Sequence, residues 1–185
     1  MEPCNERALL YLLAIEAFFM QQETLYKFLK ATKSAADGKN YLSTLINTKF
    51  NPEQDTARIS KAEDLGIQFP TELEKPEKER IEKGINNIIK TCKDLVEPNE
   101  NLSPLYYVLK HGFLIYEVDG GLQPLMHSEK NKRFFEYLNN QTTGEQENAL
   151  QKNDFSHLID LTRRLAYAIQ DIIAIRLIQL GVTTL

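Results

Sequence analysis

Residues 8–20 read ALLYLLAIEAFFM and residues 172–180 read IIAIRLIQL. Each run is apolar on nearly every side of a helix, broken only by Glu16 in the first and by Arg176 and Gln179 in the second. A helix that is apolar all round has to be covered all round. Burying one large apolar side chain stabilises by ~1.5–3 kcal/mol, so leaving several of them wet is costly. Two such rods, one near each end of the sequence, predict an all-α fold with the N- and C-terminal helices at its centre. Glu16 and Arg176 then become candidates for a buried ion pair across that centre.

Both runs belong to longer amphipathic helices. The first is predicted over about 5–33: Asn5 can cap it, Glu6 suits its positive end, and Glu23 and Lys27 stand at i,i+4. The last is predicted from about Asp154 to Leu180, with Gly181 as its cap and a polar stripe of Asp160, Arg164, Tyr167 and Asp171. Between them, Asp37-Gly38 is a stop, and a short helix covers about 39–48. A third helix over about 76–96 follows from Ile81, Ile85, Ile88, Ile89, Cys92 and Leu95, with Pro98 closing it.

Ser103-Pro104 is a start signal for a fourth helix to about Val118, ended by Asp119-Gly120-Gly121. Tyr106, Tyr107, Val108, Phe113, Ile115 and Tyr116 suit strands as well, so a hairpin is the alternative there. Ser128 can cap a fifth helix over 129–139, and a short piece is predicted over 145–151. Residues 51–76 read as an irregular or mobile connection, with one helical piece over 52–65 ended by Gly66. The sum is one domain over 1–185, a helical bundle of five to seven helices.

Composition agrees. A chain of 185 residues is the usual size of one domain, and 8 glycines and 7 prolines are few for a sheet protein's turns. A formal net charge of -4 repels a phosphate backbone, so no nucleic-acid partner is expected. Lys130, Lys132 and Arg133 stand beside Phe134, Phe135 and Tyr137, but Glu129 and Glu136 dilute that patch. Cys4 and Cys92 form no CxxC pair and read as reduced thiols, which suits a cytoplasmic protein. The N-terminal apolar run lacks a positive flank and falls short of the ~20 residues a bilayer span needs, so no transmembrane segment is expected. Lysine outnumbers arginine 15 to 7 and there are 13 asparagines, a balance that suits an A+T-rich, bacterial genome. Delivery into a host cytosol would fit such a protein.

The chemistry-bearing residues form no recognisable constellation. His111, His127 and His157 include no Glu-x-x-His, and Asp154-Phe-Ser-His157 reads as a helix start. There is no G-x-S-x-G, P-loop or dinucleotide fingerprint. No catalytic residue, metal or cofactor is expected. The reading is a non-enzymatic protein–protein interaction module: an adaptor, effector or regulatory protein. Its expected apolar interface is Ile172, Ile173, Ile175, Arg176 and Ile178, offered to another protein or to a second copy. The alternatives are a helical enzyme with Glu16, His111, Glu117 or His157 in a pocket, or a self-associating structural protein. Val182-Thr183-Thr184-Leu185 also fits peptides that PDZ-type domains bind.

Overall fold

The computed structural model describes residues 3–52, 54–59, 61–67, 74–110, 115–118, 121–124 and 152–182. These residues are mostly helical. Helix α1 spans Pro3–Ala36, α2 Tyr41–Asn47, α3 Lys75–Asp94, α4 Val96–Lys110 and α5 Lys152–Gln179. Two short 3₁₀ turns, Thr56–Arg58 and Ala62–Leu65, lie between α2 and α3. The helix expected over 129–139 and the piece over 145–151 lie outside the described residues.

Helix α1 buries Ile15, Phe18, Phe19, Gln22, Leu25, Tyr26 and Leu29, the i, i+3, i+4, i+7 spacing of one helical face. Helix α5 buries Leu158, Leu161, Leu165, Ala168, Ile172, Ile175 and Ile178 at the same spacing. These two faces pack on each other, and α5 also packs against α3. Tyr41 bridges the C-terminal ends of α1 and α5: its hydroxyl is hydrogen-bonded to Thr32, and the Arg176 guanidinium lies 4.9 Å from its ring centroid. Helices α1 and α5 therefore run in the same direction. Helix α3 runs opposite to α5, because Gly84 lies beside Ile175, Asn87 bonds Asp171, and Asp94 pairs with Arg164. Arg164 and Asp171 of the polar stripe of α5 thus face α3, while Asp160 and Tyr167 are exposed.

The helix ends follow local chemistry. Gly38 and Gly181 sit at φ 74 and φ 78, a left-handed backbone that a side chain resists. Each closes a Schellman turn: Lys39 N–H donates to Ser34 O, and Val182 N–H donates to Leu177 O. Asn40 caps α2 by accepting from the Ser43 amide at 2.9 Å.

Two sequence expectations need correction around Pro98 and Pro104. Pro98 does not close α3; it lies in the first turn of α4, where a missing N–H costs nothing. It cannot donate to the Asp94 carbonyl, so the helical run breaks at Leu95 and restarts at Val96. Ser103-Pro104 is not a start; both lie inside α4. Helix α4 stops at Lys110, and strand β1 (Ile115–Val118) pairs antiparallel with β2 (Gly121–Pro124), in place of the helix expected to Val118. The hairpin alternative holds over 115–118. Ile115, Tyr116 and Val118, β-branched or aromatic, precede Asp119-Gly120, the dipeptide that two-residue hairpin connections favour.

The segment after α2 is irregular but anchored. Pro52, Thr56, Ile59, Leu65 and Ile67 are all buried, and the two 3₁₀ turns pack on α1 and α3. The single helical piece expected over 52–65 is replaced by those turns. Among the described residues, no helix is long and apolar enough to cross a membrane.

Candidate functional site

The residues expected to form an apolar interface on α5 are mostly consumed by the fold. Ile172, Ile175 and Ile178 are buried core residues, because α5 is covered by α1 on one side and α3 on the other. Only Ile173, 38% exposed, faces outward. The expected Glu16–Arg176 ion pair is not formed either. Glu16 is exposed on α1, whereas the Arg176 guanidinium stacks over Tyr41 and donates to Gln179 Oε1 at 3.2 Å. The physical reason is the parallel course of α1 and α5, which sets Arg176 beside the far end of α1.

Among the described residues, an uncovered apolar stripe lies on α1 instead. Leu10, Leu13 and Met20 are 53%, 51% and 58% exposed. With Ala17 and Thr24, also exposed, they stand at i, i+3, i+7, i+10 and i+14, one stripe of a helix. The stripe faces away from the buried row of Ile15, Phe18, Phe19 and Gln22.

Glu16, Glu23 and Lys27 run along one flank of the stripe, by their 100° steps around the helix. Lys27 Nζ meets Glu23 Oε1 at 2.7 Å, and Lys110 of α4 reaches Glu23 Oε2 at 3.8 Å. The Tyr106 hydroxyl donates to Glu23 Oε2 at 3.4 Å, while its ring stacks on Phe19 with centroids 4.5 Å apart. Burial pushes the Glu23 carboxyl up, but the Lys27 and Lys110 ammonium groups outweigh it and hold the carboxyl below its ordinary value. The stripe is thus bordered on one flank by an ordered cluster of charged side chains.

Behind the stripe lies a buried polar network with no counterpart in the sequence expectations. Gln22 Nε2 donates to Asn99 Oδ1 at 2.8 Å, and Thr56 Oγ1 donates to Gln22 Oε1 at 3.3 Å. Asn99 Nδ2 donates to the Pro52 carbonyl at 2.9 Å. The network ties α1, α4 and the 51–59 segment together in the core. Its one sequence signal is Gln22 itself, an amide on the apolar face between Phe19 and Leu25.

The enzyme alternative gains no support from the described residues. Glu16 and His157 are exposed; Glu117 lies on β1, and His111 and His127 fall outside the described residues. Among the described residues, no group of three or more His, Cys, Asp or Glu side chains is placed to hold a metal ion. The Cys92 thiol is buried, and burial pushes it up to about 12, which makes it a poor nucleophile. The basic-aromatic stretch 130–137 and residues 183–185 of the C-terminal motif also lie outside the described residues. No protein-family model, no curated protein and no solved structure matches this chain.

Proposed function

We propose that this protein is a non-enzymatic protein–protein interaction module, an adaptor, effector or regulatory protein working in the cytoplasm. The observation that carries the reading is the stripe of Leu10, Leu13 and Met20 on the outer face of α1, each more than half exposed. Contiguous exposed apolar side chains rimmed by polar ones mark association surfaces. The occupant is another protein or a second copy of this chain. The interface expected on α5 is thereby moved to α1, and the principle behind it is unchanged: an apolar helical face seeks cover.

The test compares the wild-type protein with a Leu13→Glu/Met20→Glu variant. Both substitutions lie on the exposed stripe, so circular dichroism should be unchanged. Light scattering after size exclusion reads self-association, and a quantitative pull-down reads other partners. A dimer or a captured protein that disappears in the variant supports the reading. A strictly monomeric wild type with the same capture profile as the variant removes it.

A further inference from the structure

From the surface that α2 builds at the other end of α1, we propose that this protein docks on anionic lipid membranes. Helix α2 is short, has no buried residue, and packs chiefly on the outside of α1. Its outward face carries Leu42 and Ile46, 65% and 75% exposed, the two most exposed large apolar side chains described. They stand at i,i+4 and project together. Leu180 and Val182, just past the end of α5, are exposed at the same end of the molecule, since Arg176 one turn earlier stacks on Tyr41.

Within the two segments that form this ridge the charge has one sign, with Asp37 and Asp55, which accepts from the Asn51 amide, just outside them. Between residues 38 and 52 the charged residues are Lys39 and Lys49, and between 172 and 185 the one charged side chain is that of Arg176. Lys39 and Lys49 are exposed and flank α2 on either side. Among the described residues, no carboxylate pairs with Arg176, which is half-buried and held by Tyr41 and Gln179. Asp37 is the acid nearest in sequence, at the α1 end of the turn. The first turns of α3, which makes no substantial contact with α2, hold Glu74, Glu77, Glu79 and Glu82 against four bases and are balanced. Three cations and no acid in these two segments stand out in a chain of net charge -4.

The shape selects a bilayer over a peptide. A peptide partner fits a groove, whereas α2 is a ridge with protruding aliphatic tips and lysines at both ends. Such a ridge sets its apolar tips at the headgroup boundary while the ammonium groups meet anionic lipid phosphates and carboxylates. The affinity is therefore modest and falls with salt.

The experiment is co-sedimentation of the full chain with two kinds of vesicle. One is phosphatidylcholine alone; the other is equal parts phosphatidylcholine and phosphatidylserine. The wild type should pellet with the anionic vesicles at low salt and stay in solution with the neutral ones. Leu42→Ser/Ile46→Ser and Lys39→Glu/Lys49→Glu should each weaken binding by at least about tenfold. All four side chains are exposed, so helicity should not change. Leu13→Glu/Met20→Glu should bind vesicles as the wild type does, which keeps this outcome separate from the α1 surface. Absence of pelleting, equal pelleting with neutral vesicles, or unchanged binding by the α2 variants would overturn the proposal. A dimer that depends on Leu42 and Ile46, with no vesicle binding, would overturn it in favour of a second copy.

Discussion

Gln22→Ala is expected to be among the most damaging substitutions of a polar residue in this protein. Gln22 is fully buried and makes two hydrogen bonds, donating to Asn99 and accepting from Thr56. Its removal leaves Asn99 Oδ1 without its donor and the Thr56 hydroxyl without its acceptor. Each orphaned buried group costs ~1–3 kcal/mol. The one lost methylene adds about 0.8 kcal/mol. With partial relaxation the total is about 4 kcal/mol. At a urea dependence of ~2 kcal/mol per molar, the unfolding midpoint drops by about 2 M.

Thr56→Val makes the test sharper. In the wild-type background it orphans Gln22 Oε1 and costs ~1–2 kcal/mol. In the Gln22→Ala background it removes a hydroxyl that has lost its acceptor and keeps only the long contact from Asn99 Nδ2 at 3.5 Å, so its cost falls toward zero. Urea titrations of the four proteins, followed by circular dichroism, give the coupling directly. A coupling of about 1–3 kcal/mol is expected. Additivity within ~0.5 kcal/mol would mean that the two side chains do not share a bond, and the network would have to be abandoned.

Three further outcomes follow from the packing. Gly84 lies where an added Cβ would come within 3.3 Å of Ile175 Cδ1 and 3.4 Å of Asp171 Cβ, so Gly84→Val should force α3 from α5 and lower thermal stability by ~2 kcal/mol or more; Gly84→Ala, which gains ~1 kcal/mol in helix propensity, should be near neutral. Cys92 should resist a thiol reagent at pH 8 in the folded protein and react at once in urea. Because its folded value is raised from 9.0 to about 12, the unfolded chain loses that proton first, and stability should fall as pH rises through that window; a Cys92→Ala variant should show a shallower slope, the rest coming from Tyr26, Tyr41 and Tyr106, which burial also raises. Glu23→Gln should cost under about 1 kcal/mol near neutral pH and nothing at low pH. The Glu23 carboxyl is held below its ordinary value, so its contribution is present above 4.5 and is lost as pH falls through the lowered folded value, which a urea series against pH would show.

The elements that periodicity could reach were legible in the residues. The i, i+3, i+4 rows of α1, α3 and α5 are visible because one face of each is apolar, and Asp37-Gly38 and Gly181 mark their ends through a backbone need that glycine meets. The Pro98 signal misled because proline is tolerated in a first turn, and no local rule says which turn that is; Ser103-Pro104 misled because α4 runs through Pro104, which removes one backbone donor without ending the helix. The relative direction of α1 and α5 was not legible at all. Periodicity shows that a face is apolar, not which neighbour covers it. Hence Ile172, Ile175 and Ile178 looked available and are spent on α1 and α3, while Leu13 and Met20 looked like core and are exposed. The Gln22 network was hidden because its three side chains come from positions 22, 56 and 99, which only the tertiary fold brings together.

The parallel pairing of α1 with α5 has a consequence during synthesis. Ala36 ends the first helix, and its main partner begins at Lys152. At roughly 5–20 residues per second, a nascent chain takes about 6–25 s to cover that gap. For most of that interval Phe18 and Phe19 are outside the ribosome with nothing from α5 to lie against. A chain that ends before Lys152 keeps that face without its main cover.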